Sequence, residues 1–440
     1  MRKIAFIGAG SMTFTRKVVH DLFTFPAFED VEIALMDINA VRLENIRRCC
    51  ERLKKEMGVS AKITATMNRV EALTGADGVL CTIFNGDFDI WRKDLEIPLK
   101  YGINMNIGDT RSVSGIFRAA RNIPVMLDIC HDIEKYCPNA LFLNYTNPMS
   151  MLCRAMQLHT KVNVTGLCHS VRGTVKMLSE WLDIPNEEID YTCMGVNHQA
   201  FYTKLSHKGN DLYPLLREKM NDKSIYDKER VRNEMFIRLG YYVTESSGHN
   251  SEYNAWFRKR PDLLEKYCFD HEGSGWNPGV YGYSISERKS RNATYQQDVE
   301  DWLINGEIDL NVRSNEYAAE IFNAVLGDGQ IVEFNGNVIN DGCIPNLPSD
   351  ACVEIPVYAS RYGLRKCHMG NLPDEVAILV NNTARMENLA VDAIVEKNKK
   401  KLTQAVYMDP LCSAVLSLEE IDRMCRELFE FNKDFLGDWK

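Results

Sequence analysis

Three short polar clusters in this sequence could do chemistry. They are Asn144-Tyr-Thr-Asn147-Pro, Leu167-Cys168-His169-Ser170 and Gly195-Val-Asn197-His198. A thiolate and an imidazole together suit a borderline divalent ion such as Mn²⁺, Co²⁺, Ni²⁺ or Zn²⁺. Two ligands do not close a structural site, so Cys168 and His198 would hold an ion whose shell is completed by substrate oxygens. The same residues read equally well as a buried thiol and a core histidine. A second signal lies in Ile7-Gly8-Ala9-Gly10-Ser11. Gly8 permits a tight turn, and Gly10 lets a pyrophosphate approach a helix N-terminus. Thr13 stands where G-x-G-x-x-G would have its third glycine. Asp37, with Asn39 beside it, ends the next strand, where an acid would hold an adenosine ribose and favour NAD over NADP.

These residues need elements to position them. Apolar runs at Lys3–Ile7, Val31–Met36, Lys62–Thr66, Gly78–Ile83, Leu141–Asn144 and Val162–Leu167 read as buried strands. Helical spacing separates them, as at Ser11–Phe23 and Asn39–Lys55, so they predict a parallel sheet covered on both faces. The polar clusters follow the fifth and sixth strands, and ligands of such sheets sit beyond the strands' carboxyl ends. The rhythm stops near residue 190. Helical patterns return at Tyr317–Leu326, Glu375–Lys401 and Leu418–Leu436, and GSGWNPGVYGYS (273–284) is the loosest stretch. The expected architecture is α/β: a Rossmann-type doubly wound domain over 1–190 and a second, α+β domain over 191–440, as in lactate or malate dehydrogenases.

Composition narrows the function classes. With 45% hydrophobic and 26% charged residues, the 440-residue chain is ordinary for a folded globular protein. A net charge of −9 argues against a general nucleic-acid binder. The fourteen cysteines show no C-x-x-C pair, which predicts reduced thiols. The N-terminus runs directly into a strand, and no stretch of eighteen strongly apolar residues occurs. A cytoplasmic protein without membrane attachment is expected.

The segments FIGAGS, Gly108-Asp109-Thr110, NYTNPM, GLCHSV, GVNH, YYVTESSGHNSEY and Asn346-Leu347-Pro348 resemble glycoside hydrolase family 4. The likeness is strongest to its α-galactosidase branch and the related α-uronidases, and it runs over residues 3–440. It implies bound NAD, a divalent metal, usually Mn²⁺, a small-molecule glycoside substrate and a homodimer or homotetramer. It also implies roles. Cys168 and His198 match metal ligands, Tyr253 matches a base, and Asp109 matches an acidic active-site residue. Asn144, Asn147 and Arg92 match groups that touch substrate or cofactor. His169, His249 and Asp109 remain open as the acid that protonates the leaving group, and His249 is also a substrate contact.

The implied reaction explains why such residue types are needed. A sugar C2–H is too weak an acid for a side chain to ionise. Hydride transfer from C3 to NAD⁺ makes a ketone that acidifies C2, and a metal on the C2 and C3 oxygens stabilises the enediolate. Loss of the C2 proton and of the anomeric group, addition of water and return of the hydride complete the cycle. A phenol of ordinary pKa about 10 needs the metal's charge to serve as the base.

Some residues depart from the branch pattern. Where its members commonly carry a glycine-rich stretch, this chain has Arg111-Ser112-Val113-Ser114. Arg111 could hold a carboxylate or sulfonate bidentately. Gln199, Gly248 and the segment 270–284 also differ. An α-galactosidase is the leading expectation. The alternatives are an α-galacturonidase, an α-glucuronidase or another anionic-sugar glycosidase, an NAD-dependent dehydrogenase of lactate or malate type, and a non-enzymatic NAD sensor.

Overall fold

In KIAFI, Ile4 and Phe6 pack into one apolar cluster, and Ala5 and Ile7 into another. Side chains alternate between the two faces of a strand, so a strand apolar throughout needs a layer on each side. Six strands form, all largely buried except the partly exposed β3: β1 (Lys3–Ile7), β2 (Glu32–Met36), β3 (Lys62–Thr66), β4 (Gly78–Cys81), β5 (Leu141–Asn144) and β6 (Asn163–Leu167). They run parallel in the order β3-β2-β1-β4-β5-β6. The winding reverses between β1 and β4, which opens a crevice beyond their carboxyl ends. This is the Rossmann-type sheet that the apolar runs predict.

The computed structural model describes residues 1–12, 14–268, 279–309 and 312–440. Thr13 and residues 270–278 of the two unusual segments noted above lie outside the described residues.

The later strands are β7 (Ile189–Val196), β8 (Gln199–His207), β9 (Asn210–Asp211), β10 (Val332–Ile339), β11 (Cys352–Ser360) and β12 (Gly363–Lys366). They continue the same sheet. β10 lies antiparallel against β6, with Gly336 opposite Leu167. From there the order runs β6-β10-β11-β7-β8-β9, with β12 on the side of β11, and the sheet has twelve strands. β7 and β8 form a hairpin in which Val196 faces Gln199 across the two-residue turn Asn197-His198. Such tight turns call for positive φ, and His198 has φ +62°.

The helices that bear on the site are α1 (Phe14–Phe23), α2 (Ala40–Met57), α3 (Phe88–Lys100), α4 (Ser112–Tyr136), α5 (Ser170–Leu182), α6 (Ser247–Tyr253) and α7 (Asp374–Val395). The single helix expected over Glu375–Lys401 is two. Lys397 takes φ +53°, and the Asn398 side chain accepts the Lys401 N–H to start a second helix at Lys399. Leu418–Leu436 also breaks, after Phe431, at Asn432, without a left-handed residue or a side-chain cap on the next helix. Among the described residues no helix is long and apolar enough to cross a membrane.

Candidate active site

The glycine turn closes on itself before it can close on a ligand. Gly8 has φ +80°, and a Cβ there would lie 3.0 Å from the Ile83 backbone, so only glycine fits. The Gly8 and Ala9 N–H groups donate to the Met36 carbonyl at 2.9 Å. The Gly10 N–H donates to Asp37 Oδ2 at 2.8 Å, and the Asn39 N–H to Asp37 Oδ1 at 2.8 Å. A Cβ on Gly10 would stand 2.7 Å from Asp37 Oδ2 and 2.8 Å from Arg42 Cβ. Gly10 is thus required by the end of β2 and the start of α2, a constraint that the sequence argument, built on pyrophosphate approach alone, did not contain. Each Asp37 oxygen keeps acceptor capacity for ribose hydroxyls. The Asn39 side chain is spent on capping α2, by accepting the Arg42 N–H at 3.0 Å. Ser11 Oγ accepts the Phe14 N–H at 3.2 Å, at the start of α1. The set fits a dinucleotide: a close turn, a helix start and a carboxylate at the ribose position.

Cys168 follows β6 directly, and His198 sits at the tip of the β7–β8 hairpin, so the sheet itself brings them together. Cys168 Sγ lies 3.2 Å from His198 Nε2. A third donor joins them: Glu245 Oε2 lies 3.5 Å from the same nitrogen. The three ligand atoms fall within 4.8 Å of one another, and all three residues are buried. Thiolate, imidazole and carboxylate form a donor set that fits a borderline divalent ion. Burial lowers the His198 pKa to about 4, which leaves a neutral ring with a lone pair to offer. Burial, with the charges of Glu354 and Glu245, pushes the Cys168 thiol well up, so an ion would have to displace its proton. Glu245 was not singled out from the sequence, although it lies inside the quoted YYVTESSGHNSEY. It reaches the pair through a left-handed backbone, φ +65°, which no sequence pattern announces.

The other face of His198 carries Tyr253 and Thr110. Its Nδ1 lies 3.4 Å from the Tyr253 hydroxyl and 3.3 Å from Thr110 Oγ1. α6 presents His249 and Tyr253 four residues apart, hence on one face, with ring centres 5.9 Å apart. His249 bridges two acids, with Nδ1 at 3.2 Å from Glu245 and Nε2 at 3.5 Å from Asp109. Burial opposes its protonation, but the charge of Glu245 and the hydrogen bond to Asp109 win and push its pKa up to about 9. Burial would raise the Asp109 carboxyl, yet His249 holds it well below the usual carboxylate range. The pocket therefore holds two carboxylates around one imidazolium. Burial pushes the Tyr253 phenol well up, and Asp109 adds to this. Glu252 on α6 accepts the backbone N–H groups of Asn106, Ile107 and Gly108 at 3.1, 3.2 and 2.9 Å. That cradle sets the position of Asp109 and Thr110.

Not every residue singled out from the sequence joins this group. Arg92 lies on the outer face of α3, paired with Glu96 at 2.6 Å and Asp89 at 3.2 Å, and it does not reach the pocket. Arg111 is 2% exposed and paired with Glu387 at 2.8 Å, which compensates its charge, while its Nη1 has no hydrogen-bond partner among the described residues. Asn144 turns back on Thr146: its Oδ1 accepts that residue's N–H and its Nδ2 donates to that residue's carbonyl, both at 3.0 Å. It shapes the loop. Asn147 is half-buried, and its Oδ1 accepts the Met149 N–H at 3.2 Å. His169 stands at the rim, its side chain 50% exposed and its Nδ1 3.2 Å from Glu316. Chiefly through that contact its pKa is raised.

The model of the family 4 glycosyl hydrolases matches residues 3–184, and that of their C-terminal domain matches residues 193–412. The chain belongs to family 4 of the glycosyl hydrolases. It is 35% identical over 444 residues to an alpha-galactosidase of Bacillus subtilis (strain 168), covering 100% of both chains. It is 28% identical to an alpha-galacturonidase of Thermoanaerobacterium saccharolyticum, over 99% of this chain and 97% of that one. A family-like fold also appears in a 6-phospho-alpha-glucosidase from gut microorganisms, solved in complex with NAD and Mn²⁺, with a TM-score of 0.81, 22% identity and full coverage of both chains. As a family 4 member the chain is a glycosidase, built on the Rossmann-type architecture expected from its sequence.

Proposed function

We propose that this family 4 member hydrolyses α-galactosides, using NAD⁺ and a divalent ion such as Mn²⁺. The observation that carries this is the meeting of Cys168, His198 and Glu245 on one side of an imidazole whose other side faces the Tyr253 hydroxyl. The full-length likeness to an alpha-galactosidase supports the substrate. When bound, the dinucleotide supplies reversible hydride transfer at C3 of the sugar, and the ion supplies Lewis-acid polarisation of the C2 and C3 oxygens. Gly8, Gly10, Ser11 and Asp37 would hold the dinucleotide, and Cys168, His198 and Glu245 the ion. Tyr253 would take the C2 proton onto its phenolic oxygen once the charge of the bound ion has offset the burial that raises its pKa. Asp109 stays ionised beside it, because His249 carries the compensating charge. His169, at the rim with its pKa raised chiefly by the hydrogen bond to Glu316, would donate to the departing oxygen. Asn147 is placed to contact the sugar.

A second reading rests on Arg118. It is 8% exposed, and its Nε and Nη1 have no hydrogen-bond partner among the described residues. Its guanidinium lies over Phe84 and Trp91, at 5.0 and 5.1 Å, and helps to lower the Asp109 pKa. A buried cation with free donors favours an anionic sugar, an α-galacturonide in place of the galactoside. A homodimer or homotetramer in the cytoplasm belongs to the same proposal. Exposed Ile331 just before β10, Tyr358 on β11 and Tyr362 in the β11–β12 turn support an oligomer contact, and unbridged cysteines support a reducing compartment.

The test is a nitrophenyl panel of α-galactoside, α-glucoside, α-galacturonide, α-glucuronide and sulfoquinovoside, with NAD⁺ and Mn²⁺, followed by the preferred substrate deuterated at C2. A slower rate or solvent exchange at C2, with no net NADH, is expected. Unexchanged deuterium without any rate effect would remove the elimination mechanism. Stoichiometric NADH would point to a dehydrogenase. Tight NAD⁺ binding without turnover of any glycoside would point to a sensor.

A further inference from the structure

Arg111 stands where the α-galactosidase branch leads one to expect a glycine-rich stretch, and its side chain is sealed from solvent. Its contacts fall on two groups of the site and one anchor. Nη2 donates to the carbonyl of Asn197, the residue before His198. The guanidinium carbon lies 4.8 Å from the centre of the Tyr253 ring. Nε donates to Glu387 Oε1 on α7 at 2.8 Å. The next residue, Ser112, takes φ +58° at the start of α4, and its hydroxyl donates to Asp409 at 3.0 Å. A non-glycine residue is held in a left-handed conformation only where its surroundings over-determine it. Here that conformation falls at the step between Arg111 and α4.

We propose that Arg111, held by Glu387, is a positioning residue that fixes the Tyr253 ring and the His198 turn relative to each other. The proposal rests on the reading of Tyr253 as the base and His198 as a metal ligand. Stability alone does not account for the pair. A buried ion pair replaced by apolar residues of similar volume commonly leaves stability unchanged or improved. A guanidinium, by contrast, is planar and multiply donating, so it can stack on a ring and hold a carbonyl at once. A lysine ammonium keeps the charge and loses that geometry. Glu387, 3% exposed, serves to fix the guanidinium from behind. Neither residue need touch the sugar. Their effect is on the distance between the proton acceptor and the ion's ligand, and small misplacements of reacting groups cost about a hundredfold in rate.

The test replaces both partners, Arg111→Met with Glu387→Met, so that no charge is left buried alone. The holoenzyme is compared with wild type by thermal midpoint, NAD⁺ affinity, Mn²⁺ affinity and turnover. The expected double variant folds and binds NAD⁺ as wild type does, and binds Mn²⁺ about tenfold more weakly, as loss of support behind a ligand does. Its kcat falls about thirtyfold with KM nearly unchanged, and its C2 deuterium effect grows. Arg111→Lys, which keeps the ion pair, is expected to lose kcat as well. Mn²⁺ affinity and kcat both within about threefold of wild type in the double variant would make the pair structural only. If the double variant does not fold, Arg111→Lys decides alone: unchanged Mn²⁺ affinity and kcat overturn the proposal. Should wild type hydrolyse no α-glycoside, the proposed function falls, and the Mn²⁺ titration still decides whether Arg111 positions His198.

Discussion

At the scale of the residue, the site pairs its acids with its histidines. Glu245 faces both His198 and His249, and although burial would raise its carboxyl, the nearby histidines keep its pKa lowered. An ionised carboxylate beside a thiol and a neutral imidazole is what a divalent ion needs, since the negative ligand offsets the cost of burying the ion. Glu245→Gln keeps the shape and removes the charge. It is expected to weaken Mn²⁺ binding roughly tenfold or more and to leave NAD⁺ affinity unchanged, measured by calorimetric titration of each. Equal loss for both ligands would mean that the substitution disturbed the fold and not the metal. Cys168 and His198 stood out in the sequence as a thiol and an imidazole, and it was the family resemblance, not their spacing, that implied a metal between them. Glu245 did not stand out, because acids are common and only its backbone conformation aims it inward. Arg111 and Arg92 were misread for a related reason: charge can be read from a sequence, but the partner that consumes it cannot. Glu387 is far along the chain from Arg111, and Asp89 and Glu96 were near Arg92 but not weighed.

At the scale of the element, the first six strands were legible, and the six later strands and several helices were not. Lys3–Ile7 and Leu141–Asn144 form as the apolar runs predict, because a strand buried on both faces leaves little else in its pattern, and Lys62–Thr66 forms as a partly exposed edge strand. α4 begins at Ser112, directly after Arg111. Gly115 is in fact demanded by the helix, since a Cβ there would lie 2.5 Å from the Thr110 carbonyl carbon. The β10–β11 pairing, which joins distant parts of the chain, has its own chemical consequence. It sets Glu354 opposite Asn337, and Glu354 Oε1 accepts from Asn197 Nδ2 at 3.4 Å. Burial, against the Asn197 hydrogen bond and with the charge of Glu245, pushes the Glu354 carboxyl up to about 7. Its folded pKa is therefore above its unfolded value near 4.5. The stability this group contributes is complete below pH 4.5 and is lost as pH rises through 7. Glu354→Gln does not titrate, and the amide would find the unpartnered Oδ1 atoms of Asn197 and Asn337 close by. In chelator-treated protein the variant is expected to match wild type near pH 4.5 and to exceed it at pH 8, by roughly 3 kcal/mol at most. Denaturant midpoints at the two pH values check this; a gain that is the same at both would assign the effect to packing.

At the scale of the whole molecule, the sheet runs from β3 to β9 without a gap. The two family models meet between residues 184 and 193, yet the hydrogen-bonded neighbour of β6 is β10, from the far side of that junction. The candidate site depends on this continuity. Cys168 leaves the end of β6, His198 turns at the β7–β8 hairpin, and β10 and β11 fill the space between those strands. A chain divided into independently folding halves would let the distance between thiol and imidazole vary. A chain joined by β6–β10 fixes it, and it also leaves β6 with an open edge if the second half is absent. Unpaired edges and uncovered apolar faces favour association with other chains. We therefore expect intact protein to unfold in one calorimetric transition, with NAD⁺ raising the midpoint of all of it. The fragment 1–190 is expected to aggregate or to bind NAD⁺ far more weakly than the whole. Two separated transitions, only one of them shifted by NAD⁺, would show that the halves fold apart, and the Cys168–His198 distance would then have to be held by the ion itself.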